Sequence, residues 1–221
     1  MRRYHIRWRR KIIGTCGLDV RFRTSGTLCP KGKVPLIPRT SKPDRRVDRT
    51  RQSLLIAFRD LILERGYDRL TVCDVIEHAN VGRSTFYEHF ENIEDLFEQS
   101  ITPLLAILAD ALEANPDRKR LQMVVAHFWA NRKVSRIIMA EPTRPLMSRL
   151  LAKLIEERLT KRARNSRGKK PAIPVGLIAA NLAEAQLGLV AAWLSETAAC
   201  DASALADALH ASTNSAASAL L

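Results

Sequence analysis

Residues 75–90 read VIEHANVGRSTFYEHF, and this interrupted stretch limits what the chain can fold into more than any other. Val72, Val75, Ile76 and Ala79 recur at i, i+3, i+4 and i+7, the period of an amphipathic helix. Thr71 and Asp74 stand at capping-box spacing at its start. The hydroxyl there satisfies an orphan amide and the acid reaches back. Ala79-Asn80-Val81-Gly82 then breaks the period. Asparagine is among the few non-glycine residues that tolerate a left-handed backbone, Val81 is the apolar plug of a tight turn, and Gly82 suits an N-cap. The spacing predicts a further helix over 83–90, with Phe86 and Phe90 facing inward beside Val81. Arg83, Ser84, Thr85, Tyr87 and His89 are left on its outer faces. Two short helices joined by a tight turn, the second exposing hydrogen-bonding side chains, form a helix-turn-helix, which sets its second helix for entry into a DNA major groove. Hydroxyls suit phosphates and polar side chains suit base edges.

The preceding segment, 48–66, is also helical in period. Leu54, Phe58, Leu61 and Ile62 share a face with Leu55 beside them, Asp48 or Thr50 offers an N-cap, and Gly66 closes the end. Tyr67–Leu70 is a short link. Upstream, residues 1–45 carry Pro30, Pro35, Pro38 and Pro43 with dense arginine and no sustained period, so they read as disordered. Residues 1–52 hold 16 Lys and Arg against 3 Asp and Glu. That surplus of 13 equals the formal net charge of the whole chain, +13. A basic arm on a neutral body suggests a polyanionic partner, nucleic acid before an anionic membrane. Residues 1–45 are read as a DNA-contacting arm, a solvated tail or translated sequence upstream of a misassigned start.

The string ERGYDRLTVCDVIEHANVGRSTFYEHFENIEDLFE, residues 64–98, resembles the DNA-binding domain of the TetR family of transcriptional regulators. Gly66-Tyr67, Thr71-Val72 and Val81…Arg83-Ser84-Thr85-Phe86-Tyr87…His89-Phe90 carry the resemblance. The family usually has glycine where Asn80 stands, serine at Gly82 and a phosphate-contacting lysine where Ile93 stands. The resemblance implies an all-α chain: an N-terminal three-helix helix-turn-helix DNA-binding domain plus a C-terminal helical ligand-binding and dimerisation domain. The divisions are a basic arm over 1–45, the DNA-binding domain over 46–98 and the effector-binding and dimerisation domain over 99–221. The expected DNA contacts are Thr71, Arg83, Ser84, Thr85, Tyr87 and His89. Glu88 is acidic in the same helix; it is read as facing away or pairing with a nearby arginine, with a cytosine amino group as the alternative partner.

Downstream of Asn92 the pattern stays helical. Helices are expected over 92–113 with a kink at Pro103, 118–130, 133–140, 144–164, 175–197 and 202–219, with Leu146, Leu150, Leu154, Ile155 and Leu159 inward in the fourth of these and a polar basic loop over 162–170. The last two helices are rich in Ala, Leu and Gly, and the resemblance implies that they pair with their symmetry mates in a homodimer. It also implies an effector pocket among the middle helices. Met123, His127, Phe128, Trp129, Met139 and Trp193 are its candidates, although aromatics and methionines at helical spacing also serve as plain core, and His127 as a hydrogen-bonded core residue.

No GxSxG, Walker A, HExxH or Rossmann glycine pattern occurs, so no enzymatic activity and no cofactor are expected. Cys16, Cys29, Cys73 and Cys200 form no CxxC pair, so neither a metal site nor a disulfide is expected. No run of apolar residues reaches membrane-spanning length and no signal peptide is recognisable, which places the chain in the cytoplasm, away from membranes. The expected function is a ligand-responsive repressor, binding a palindromic operator in double-stranded DNA as a homodimer and released by an unidentified small-molecule effector. The alternative is an activator, or a regulator that answers to a protein.

Overall fold

The computed structural model describes residues 45–165, 171, 173–196 and 200–220, and every regular element among them is helical. The arm assigned to 1–45 lies outside the described residues, apart from Arg45, which opens the first helix.

Helix α1, Arg45–Arg65, buries Leu54, Phe58, Leu61 and Ile62, as its period requires. Gly66 ends it at φ +76, its N–H donating to the Ile62 carbonyl at 3.0 Å. A Cβ at Gly66 would meet nothing within 4 Å, so the backbone angle rather than crowding explains the glycine. The Tyr67 ring then packs edge-on against Phe58 and Phe97, with centroids at 6.5 and 5.5 Å.

Helix α2, Val72–Ala79, begins with the full capping box: the Thr71 hydroxyl accepts from the Asp74 N–H, and the Thr71 N–H donates to the Asp74 carboxylate. Arg65 closes on the same carboxylate at 2.6 Å, tying the end of α1 to the start of α2. The break follows as the residues demand. Asn80 is left-handed, φ 53 and ψ 49. Its N–H donates to the Glu77 carbonyl, while the Val81 N–H reaches back to Ile76. This is the paired bonding of a Schellman end, with Val81 against the core as its apolar contact.

Helix α3 is shorter than its sequence period suggests. It covers Arg83–Tyr87 rather than 83–90, and the chain continues through turns to Phe90. Phe86 and Phe90 are nonetheless buried, with ring centroids 5.8 Å apart. The Phe90 N–H still donates to the Phe86 carbonyl at 2.9 Å, and the chain then runs into α4, Ile93–Ala109. Asn92 caps α4, accepting from the Asp95 N–H at 2.8 Å. Pro103 lies inside α4 without ending it. The expected division at 98/99 therefore falls within a continuous helix.

A 3₁₀ turn, Asp110–Leu112, follows, then α5 (Arg118–Ala130), α6 (Arg132–Ile138), α7 (Thr143–Asn165), α8 (Val175–Leu194) and α9 (Ala202–Leu220). In α7 the inward spine is Met147, Leu151, Ile155 and Leu159, spaced four apart. Leu146, Leu150 and Leu154, expected inward, are only half-buried flank. A row of leucines one position off the spine has the same period, so periodicity alone does not separate the two. Helix α8 ends at Leu194, short of 197, and residues 166–170 of the expected basic loop are outside the described set. Arg158 joins α7 to the end of α4, binding Asp110 at 2.6 Å and the Ala106 carbonyl at 2.9 Å. Gln186 donates to Thr213 at 3.0 Å, a buried bond between α8 and α9.

Helix α8 is long enough and apolar enough on average to pass for a membrane-crossing segment, although no uninterrupted apolar run of that length occurs in it. Here one side of it, from Ile178 to Leu194, is core, and it carries Asn181, Glu184 and Gln186.

The left-handed turn is directly testable. Asn80→Gly should leave unfolding in urea nearly unchanged, whereas Asn80→Val should cost about 1–2 kcal/mol, since a β-branched residue meets the full left-handed penalty.

Candidate nucleic-acid interface

The outer surface of α3 is set by two opposed anchors. Phe86 and Phe90 hold the inner face, and the turn at Asn80 fixes the direction of entry. Arg83, Ser84, Tyr87 and Glu88 are then exposed, with Thr85 and His89 half-buried beside them.

Arg83 and Tyr87, one turn apart, act as a unit. The guanidinium lies 5.9 Å from the Tyr87 ring centroid, within cation–π range. Hydrogen bonding to Tyr87, its nearness, and then Cys73 raise the Arg83 pKa above its usual range. The Tyr87 ring is held in turn by an edge contact with Phe86 at 5.4 Å. The arginine is therefore pre-positioned through a chain that starts in the core.

The other flank of α3 faces α1. Thr85, Glu88 and His89 line an open cleft of about 300 Å³, whose opposite wall is Arg46, Val47 and Thr50 from the first turns of α1. Arg51 reaches over the Phe90 ring at 5.6 Å. The start of α1 thus borders the same surface as α3, a neighbourhood that sequence spacing alone does not reveal. Periodicity within each helix carries no information on how separate helices pack against each other.

Of the six expected contact residues, five stand on or directly after α3. Thr71 stands apart, at the start of α2, and its hydroxyl is engaged on both sides by Asp74, donating to Oδ2 at 2.5 Å and accepting from N–H at 3.2 Å. Those bonds, then the Thr71 backbone, then Arg65, hold the Asp74 carboxyl below its ordinary range. Thr71 is placed by the structure as the cap that orients α2.

The expected pocket residues differ in exposure. Met123 is 62% exposed, Trp129 37%, whereas Phe128, Met139 and Trp193 are buried. Trp129 and Trp193 do meet, with centroids 4.7 Å apart and Arg132 5.6 Å from the Trp129 ring. The Trp193 N–H is spent on the Cys200 carbonyl. His127 is half-buried beside Asn131, and burial, then the Arg59 charge, push its pKa down. Among the described residues no group of three or more His, Cys, Asp and Glu is arranged to hold a metal.

Residues 54–99 match the family model described as bacterial regulatory proteins, tetR family. An uncharacterized HTH-type transcriptional regulator of Bacillus subtilis, YxbF, is 40% identical over 70 residues, 31% of this chain and 18% of the relative. Two further relatives matched over short segments are described as a transcriptional activator and a transcriptional repressor. The chain covers 18%, 32% and 25% of the lengths of these three. Among solved structures, a TetR transcriptional regulator from Streptococcus agalactiae 2603V is 25% identical, with a TM-score of 0.52 over 77% of this chain and 96% of that one. A regulator from Syntrophomonas wolfei, described as putative TetR-family and 19% identical, shares the fold with a TM-score of 0.55, over 79% and 97% of the two chains.

The depressed His127 pKa has a fixed sign. A base whose folded pKa lies below its unfolded value, about 6.5, contributes stability above that value and loses it as pH falls through the folded one. His127→Gln should therefore flatten the fall in melting temperature on acidification below about 6.5, measured beside the unsubstituted protein.

Proposed function

With residues 54–99 placed in the tetR family of bacterial regulatory proteins, we propose that the chain is a DNA-binding transcriptional regulator, a homodimeric repressor of a palindromic operator that a small-molecule effector releases. The observation that carries the DNA reading is the surface of α3. A core-anchored Phe86 and Phe90 turn Arg83, Ser84 and Tyr87 outward, and a capped α2 with a left-handed exit sets their direction. We assign residues 46–98 to DNA binding and 99–221 to effector binding and dimerisation.

Dimerisation is supported by the outer side of α8. Leu177 and Leu189 are exposed. A Cβ at Gly188 would meet nothing within 4 Å among the described residues, so none of them accounts for a glycine that weakens a helix interior. Ala204, Ala208, Ala211 and Ser215 keep the exposed side of α9 small. A second copy seated there, helix against helix, uses both features. Two short recognition helices then read two half-sites. Repression is the simpler sign, since a dimer on an operator blocks other proteins without needing an activating surface. Effector release requires only that the ligand bind more tightly to a state with the wrong recognition-helix separation. The Trp129–Trp193 pair, with Arg132 beside it, is the aromatic surface we assign to the effector.

The test is a salt titration of the purified dimer on genomic fragments, followed by transcription from the retained promoter. Selective retention with reduced transcript supports the reading; retention with increased transcript makes the protein an activator, and no fragment preference sinks the specific-DNA reading. Tyr87→Ala should weaken binding to specific and random DNA alike. Arg83→Ala should alter sequence preference by about 1–3 kcal/mol at the affected base pair. Gly188→Trp should yield a folded monomer by light scattering that has lost operator affinity.

A further inference from the structure

Glu88 is an unexpected residue on a surface meant for a polyanion. It ends α3, its N–H donating to the Ser84 carbonyl at 3.0 Å, so it stands one turn beyond Ser84 and above Thr85. Its side chain is exposed and lines the cleft shared with Thr85, His89, Arg46 and Thr50. The carboxylate makes no ion pair among the described residues. No arginine among the described residues pairs with it, and its side chain borders the same cleft as Thr85 and His89.

A carboxylate close to phosphates is repelled and accepts hydrogen bonds only. The major groove offers it two donors, the cytosine N4 amino group and the adenine N6 amino group. Adenine places the N7 acceptor next to N6, where it repels a second carboxylate oxygen. Cytosine places a C5–H there instead, so cytosine is the better partner. On the reading of α3 as the recognition helix, we propose that Glu88 is a specificity-determining residue that accepts a hydrogen bond from a cytosine N4 amino group once in each half-site. Thymine and guanine present acceptors to the same oxygens, and the carboxylate excludes them by repulsion. Glu88 thus lowers affinity for most DNA and restores it where cytosine stands.

Selection of binding sites from randomised duplex DNA tests this, with the full chain, Glu88→Ala and Glu88→Gln in parallel. The unsubstituted protein should enrich a two-fold motif with cytosine at one fixed position per half-site. Glu88→Ala should lose the preference at that position alone, by on the order of tenfold, while binding random DNA more tightly. Glu88→Gln should move the preference toward adenine, because an amide pairs with N6 and N7 together; a residue that merely shaped the helix would not redirect one base. Identical motifs for all three proteins overturn the role of Glu88 and leave the helix-turn-helix reading standing. Loss of the entire motif in Glu88→Ala, with helical content kept, also overturns it. No motif for the unsubstituted protein overturns the specific-DNA reading itself.

Discussion

The direction of α3 depends on one backbone conformation, the left-handed Asn80 between Ala79 and Val81. Everything the recognition surface offers follows from it. The two carbonyls bonded by Asn80 and Val81 would otherwise be orphans at the end of α2, and their satisfaction fixes where the chain turns. Gly82 then caps α3 with no side-chain bond of its own. The new helix starts from backbone geometry and the burial of Phe86. A five-residue helix has too few internal hydrogen bonds to stand alone, so the aromatic anchors, not helix propensity, keep Arg83 and Tyr87 in place.

The same logic links the recognition surface to the rest of the chain. Phe58, Tyr67 and Phe97 meet edge-on, with centroids 5.5 to 6.5 Å apart, and so join α1, the link before α2 and the first turns of α4. At its other end α4 is held by Arg158, whose guanidinium serves both Asp110 and the Ala106 carbonyl. Such a planar fork is pre-organised for two acceptors at once. Helix α4 therefore has its first turns in one aromatic cluster and its last turn fastened to α7. A displacement of α7 thus has a packed route through α4 to α1 and the link before α2.

Much of the recognition segment is readable in the sequence because its determinants are local. Thr71 and Asp74, Asn80, Gly82, and the Phe86–Phe90 spacing each act within a few residues, and each adopts the conformation its chemistry favours. The length of α3 escapes because a helical period continues through Phe90 while the backbone leaves the helix after Tyr87. The register of α7 escapes because Leu146, Leu150 and Leu154 run parallel to the true spine. The cleft between α1 and α3 escapes entirely, being a product of tertiary packing. So does the spread of Met123, Trp129 and Trp193 over different environments, since hydrophobic residues at helical spacing carry no label for pocket, core or surface.

Thr71 shows how structural and recognition roles compete for one atom. Its hydroxyl both donates to and accepts from Asp74. A phosphate oxygen near the start of α2 would have to take the donated proton away from the Asp74 carboxylate, which is already stabilised in its charged form. Releasing it would leave one carboxylate oxygen with the Thr71 amide alone, beside an incoming anion. The competition favours the cap. Thr71 thus fixes the start of α2, and through α2 the turn at Asn80, whatever contact its hydroxyl makes beyond the cap. Ser84 and Glu88 stand one turn apart on the exposed side of α3. One brings a hydroxyl suited to phosphate and the other an acceptor suited to a base edge.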